Sequence, residues 1–214
     1  TGNIMASNPN LCLTLEEWEE KFDQWIRTPE PQALLNSTIF FDFRPLFGKF
    51  NLASRMRLAL LRQTRHNPLF LRMLAGNALC VMPPLGMIRD FVTDADPEHP
   101  GTIDLKKYGA RLFIDAARVF AMAHDVSATN TVQRIKQSAP LMNISPDEAA
   151  AVVDAFNFVQ LLRLRHQHAE QTQGRSGDNL VRPDDLNEVD RRILKEAFRQ
   201  ARKLQQRLKL DYKL

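Results

Sequence analysis

Cysteine is nearly missing: Cys12 and Cys80 are the only two in 214 residues. They have neither the paired spacing of a zinc site nor that of a redox motif, so buried free thiols are expected rather than a disulfide. Long apolar runs are missing too. The richest stretches, around Leu58–Leu61 and Leu69–Met82, are broken by Arg72, Gly76 and Asn77, and a membrane span needs about 18 or more uninterrupted apolar residues. The start of the chain lacks the basic-then-apolar layout of a signal peptide. These absences point to a soluble, cytoplasmic protein without a membrane partner. There is no Gly-rich phosphate loop, no serine-hydrolase elbow and no HExxH motif. His166 and His168 are two apart, about 200° around a helix axis, and cannot share a metal as i, i+4 histidines can. No metal site is expected in this chain.

What is present is ordinary for a globular protein: 44% hydrophobic and 25% charged residues, enough for one domain or one domain plus part of another. Net charge is +4, unevenly spread. Residues 1–50 carry four basic groups against seven acidic ones, whereas 191–214 carry nine basic groups against Glu196 and Asp211. The basic end reads as the solvated face of a terminal helix, with nucleic-acid binding as the alternative.

Start and stop signals lay out the elements. Thr14 with Glu17 forms a capping box, and Leu15, Trp18, Phe22 and Trp25 or Ile26 recur at helical spacing to about Arg27. A helical turn at Ala33–Leu35 leads into Thr38–Arg44, aromatic and β-branched and followed by Pro45, which reads as the one strand of the chain. A lone strand needs a neighbour, so a sheet upstream of Thr1 is expected. Helices follow over 52–65, 68–82 (Asn67 as cap, Pro68 first), 109–124 and 130–139. Ser145-Pro146-Asp147-Glu148 starts a long one to about Gln171, and Asp185 with Glu188 starts a last one with Val189, Ile193, Ala197, Ala201, Leu204 and Leu208 as its apolar stripe. Residues 93–101 read as a surface loop. The predicted fold is mainly α, a multi-helix bundle preceded by a helix and one β-strand left over from an upstream domain.

Candidate chemistry is sparse. Asp94-Ala95-Asp96 superficially resembles a pair of metal-holding acids but sits in a Pro-rich loop rather than on a rigid strand. Asp42 is either a functional acid on the strand or a partner of Arg44. The stripe Val152, Phe156, Val159 runs on into Arg163, His166 and Gln167, so the inward side of this helix turns polar. A guanidinium there must be paired, for instance with Asp115, or must line an anion-binding pocket facing the Arg111–Arg118 helix and the Thr131–Arg134 segment.

Gly2-Asn3-Ile4-Met5-Ala6-Ser7-Asn8-Pro9, Glu17-Trp18, Ile39–Pro45, Asp104–Gly109, Ala117-Arg118-Val119, Thr131 with Arg134, Leu162–Gln167 and Asn179 with Pro183–Leu186 together resemble the bacterial nucleotidyltransferases similar to PII-uridylyltransferase. The resemblance covers nearly the whole chain. It implies a parent with a DNA polymerase β-type catalytic domain, then a helical substrate-binding domain, often behind cyclic-nucleotide-binding and cystathionine-β-synthase-type regulatory domains acting in signal transduction. The parent chemistry it implies is transfer of a nucleoside monophosphate from a nucleoside triphosphate (NTP) with Mg²⁺. The catalytic Gly-Ser and Asp-x-Asp of that family are absent here, so this chain is expected to lack activity and cofactors of its own. On this reading residues 1–48 are the end of the catalytic domain and 49–214 the helical domain. Arg118, Arg134, Arg163, His166 and Gln167 are the expected substrate-binding residues. A structural module that dimerises or docks regulatory domains is the alternative of a different class.

Overall fold

The computed structural model describes residues 8–86, 90–93 and 98–214. Asp94, Asp96 and the Gly2–Ser7 motif lie outside them. Among the described residues eight α-helices account for most of the chain: α1 Leu15–Arg27, α2 Pro31–Phe40, α3 Phe50–Arg65, α4 Pro68–Ala78, α5 Arg111–Ala123, α6 Thr131–Ser138, α7 Pro146–Thr172 and α8 Glu188–Tyr212. The mainly α bundle is observed. Its only sheet among these residues is a two-residue antiparallel pair, β1 Ile103–Asp104 with β2 Leu180–Val181, in register Ile103 to Val181 and Asp104 to Leu180.

The helix starts follow side-chain chemistry. Thr14 and Glu17 bond reciprocally, at 3.2 Å from the Glu17 amide and 2.7 Å from the Thr14 amide, and Ser145 with Glu148 does the same for α7. Each box satisfies donors that the first helical turn leaves without partners. Asn67 accepts from the Phe70 amide at 3.0 Å and donates to the Ile26 carbonyl at 2.9 Å, tying the start of α4 to the end of α1. Two boundaries differ from expectation. Helix α4 stops at Ala78, and α8 is capped by Asn187 through the Asp190 amide, while Asp185 belongs to a short 3₁₀ turn. On α8, Val189 and Ile193 are exposed, and Leu194 and Phe198 take their place in the core beside Ala197, Ala201, Leu204 and Leu208. Cys12 and Cys80 are free, as expected, but exposed rather than buried.

The larger correction concerns 38–44. Residues 31–40 are helical, opened by Pro31 in the first turn, and 41–42 form the turn that ends the helix. The aromatic residues that suggested a strand instead fill the space over α1. Phe40 lies 5.5 Å from Trp18 and 5.6 Å from Trp25, and Phe41, with no exposed surface, lies 5.0 Å from Phe22 and 6.0 Å from Phe70 of α4. Tertiary packing of large rings outweighs a modest local β preference.

At the centre is α5, with nine of its thirteen residues buried. It packs against α3, α4, α6 and α8, while α7 runs along α8. A π-helical turn, Lys106–Ala110, leads into α5, the Ala110 amide bonding five residues back to Leu105 at 2.9 Å. Gly109 in this turn touches α7 so closely that a Cβ would lie 2.8 Å from Val159 Cγ1. Gly109→Ala should therefore destabilise the chain by about 1–3 kcal/mol. Urea unfolding checks this, and Val159→Ala in the same chain should recover most of the loss.

Candidate functional site

The residues named from sequence separate into two places. Arg118 on α5 and Arg134 on α6 are both buried, at 6% and 2% exposure, and both reach the turn after α2. Arg118 donates to Asp42 at 2.8 Å and to Asp115 at 2.8 Å; Arg134 donates to the other Asp42 oxygen at 2.5 Å and to the Ala128 carbonyl at 2.8 Å. Arg111 also bonds Asp115, at 3.0 Å. Asp42 is therefore a shared counter-ion for two buried guanidiniums, not a partner of Arg44. Burial alone would raise its pKa, but Arg118 and Arg134 outweigh that and hold it below the ordinary carboxylate range. Burial would likewise weaken protonation of Arg118, yet Asp42 and Asp115 keep its pKa raised. Two donors of this cluster, Arg118 Nε and Arg134 Nη1, are buried without a hydrogen-bond partner.

Arg163, His166 and Gln167 lie elsewhere and do not meet Arg118 or Arg134. Arg163 is half-buried and bonds neutral groups, Asn179 Oδ1 at 3.0 and 2.9 Å and Gln160 Oε1 at 2.6 Å, rather than Asp115. Gln167 donates to the same Asn179 oxygen at 3.2 Å, and His166 Nε2 lies 2.7 Å from Asp178 Oδ1. The reason is helix length. Val159 already meets the π-turn at the start of α5, and four residues further on α7 has advanced roughly 6 Å past it. Its polar end therefore meets the returning 173–182 chain instead of α5 and α6. The Leu105 amide bonds the Asn179 carbonyl at 2.9 Å, fixing that chain beside β1.

This end of α7 borders a cavity of about 550 Å³ to which β2, the start of α8 and residues His99 and Thr102 also contribute. His166 is the only one of the five expected residues that lines it; Arg165, Arg175 and Arg182 supply positive charge and Glu170, Asp178, Asp185 and Asp190 negative charge. Much of this charge is internally paired: Arg175 with Glu170 at 2.6 Å and Arg165 with Asp190 at 3.8 Å. Burial would raise the Asp178 pKa, but the Leu180 amide and His166 bond its charged form and keep it low. Sequence reasoning missed Asp178 and named Asn179 only within the family resemblance, without a role, because a polar loop gives no periodic signal of which residue faces a helix.

The described residues contain no group of His, Cys, Asp and Glu suited to a metal ion. Asp42 and Asp115 each already accept from arginines, so the buried cluster does not fit Mg²⁺. Among the described residues, no helix is long and apolar enough to cross a membrane. The basic face of α8 is partly paired within the chain: Lys195 with Asp90, Arg191 with Asp184, Arg192 with Glu188, Arg199 with Glu196 and Arg207 with Asp211.

The α7 cavity and the buried Asp42–Arg118–Arg134 cluster are thus two separate polar regions of one helical bundle. Residues 68–212 match the family described as Putative nucleotidyltransferase substrate binding domain, and residues 1–32 match that described as Putative nucleotidyltransferase DUF294. The chain belongs to the first of these families. No match was found among curated proteins or among solved structures.

Proposed function

We propose that the chain is the substrate-binding accessory domain of a cytoplasmic nucleotidyltransferase resembling PII-uridylyltransferase, with a role in signal transduction. The upstream catalytic domain, whose end would be residues 1–48, transfers a nucleoside monophosphate from an NTP with Mg²⁺. Residues 49–214 hold a substrate against it. The observation that carries this reading is the α7 cavity, where side chains from a helix, strand β2 and a second helix converge in a family matched by its substrate-binding description. Arg163 and Gln167 act behind the cavity wall, holding Asn179 and with it the loop. Arg118 and Arg134 act further off by fixing the turn after α2. In the full-length parent, replacing Arg165 and Arg182 together by alanine should raise KM for one substrate roughly 10–100-fold with kcat nearly unchanged, the signature of lost ground-state binding. An unchanged KM for every substrate would remove the cavity from the reaction. The chain alone, given NTP and Mg²⁺, should release no pyrophosphate.

A second reading, a homodimerising module that also docks cyclic-nucleotide-binding or cystathionine-β-synthase-type domains, draws on Leu46 and Phe47, exposed at 90% and 96%. Sedimentation equilibrium tests it: a monomer at all concentrations argues against the dimer.

A further inference from the structure

Away from the α7 cavity, a second hollow of about 380 Å³ lies between residues 43–45, the first half of α3 and the loop 127–129 ahead of α6. Its polar lining is Arg44, Arg57, Ser54, Ser127 and Thr129, and no acid faces it among the described residues. Arg57 is buried and held firmly. Its Nη1 donates to the Phe41 carbonyl and its Nη2 to the Phe43 carbonyl, and the guanidinium stacks 4.0 Å from the Phe43 ring centroid. Each of those nitrogens carries a second hydrogen, so the two carbonyls leave donors over.

Charge around this point does not balance. Among the described residues, Arg111, Arg118 and Arg134 form ion pairs only with Asp42 and Asp115, and both carboxylates are thereby taken by arginines other than Arg57. Arg44 adds a further positive charge at the rim and has no ion-pair partner among the described residues. Burial and the repulsion of Arg134 push the Arg57 pKa down to about 10, which still leaves it charged at neutral pH. Two guanidiniums converging with three hydroxyls and no acid form a recognition set for an oxyanion.

We propose that this hollow binds a phosphate-bearing small molecule with an apolar body, the phosphate between Arg44 and Arg57 and the body against Phe43, Pro45 and Leu58. The volume is within the usual range for small-ligand sites, about 300–1,000 Å³. Ser127 and Thr129 donate to the remaining phosphate oxygens, while the Ser54 hydroxyl, which donates to the Phe50 carbonyl at 3.4 Å, turns from it to join them. The site is independent of the α7 cavity, so it stands or falls separately from the reading above.

Isothermal titration of the chain at low ionic strength with inorganic phosphate, phenyl phosphate and uridine triphosphate tests the site. Saturable binding is expected, with phenyl phosphate tighter than inorganic phosphate. Arg44→Ala, at an exposed position, should weaken it about tenfold or more without changing thermal unfolding. Arg57→Lys, which keeps the charge but loses the planar fork, should also weaken binding, whereas Arg192→Ala, at an exposed position of α8 that lines neither cavity, should leave it unchanged. Absence of saturable binding for all three ligands, or binding indifferent to Arg44→Ala, overturns the proposal. Loss of binding in Arg192→Ala also overturns it, by showing that general surface charge rather than this hollow holds the ligand.

Discussion

Asp42→Asn should cost about 3–5 kcal/mol of folding stability, the loss expected when one partner of a buried ion cluster is removed. Arg118 and Arg134, whose side chains are 7% and 2% exposed, would be left with Asp115 as their only carboxylate, which Arg118 shares with Arg111 and to which Arg134 has no bond. Chemical denaturation measures the loss. Adding Arg134→Met should recover part of it, because the uncompensated charge rather than a missing contact is the source of the cost. The pH dependence follows from the direction of the Asp42 shift. Its pKa is lower folded than unfolded, so its contribution is complete above the unfolded value of about 3.9 and is lost as pH falls through the lower folded value. The gap between wild type and Asp42→Asn should therefore narrow in acid below about pH 4. A gap that stays constant down to about pH 2 would show that Asp42 is not the counter-ion.

Phe41→Ala should be comparably damaging, about 3–5 kcal/mol, because it empties a fully buried position between α1 and α4. Differential scanning calorimetry measures the loss: a fall in Tm of roughly 2–4 °C per kcal/mol is expected for a chain of this size. A shift below about 2 °C would contradict the observed packing of residue 41.

The helical elements were legible because their ends are chemically marked: Thr14 with Glu17, Asn67-Pro68 and Ser145 with Glu148 each carry a local signal that the structure uses. Ile39-Phe40-Phe41 misled for the complementary reason. These residue types suit a pleated surface as well as an aromatic cluster, and the deciding partners, Trp18, Phe22 and Trp25, lie on another helix. The earlier Pro31, at home in a first helical turn, was the signal that pointed correctly. At the candidate sites, Arg111, Asp115 and Arg118 stand at i, i+4 and i+7 of the helix expected over 109–124, which places them on one face. That the missing carboxylate is Asp42, 76 residues from Arg118 in the chain, has no local signature. Arg57 escaped notice because it sits in a leucine-rich helix, where a single arginine looks like part of the solvated face.

Arg134 reaches both Ala128 and Asp42, and so it joins the two sides of the second hollow: Ala128 lies between Ser127 and Thr129, and Asp42 directly precedes Phe43 and Arg44. Arg57 grips the same turn from below through the Phe41 and Phe43 carbonyls. The kinetic consequence is that a ligand entering there meets walls already in place. Association should be a single bimolecular step whose rate rises linearly with ligand concentration and does not level off as it would behind a slow closure. Differences among ligands should then appear mainly as differences in residence time.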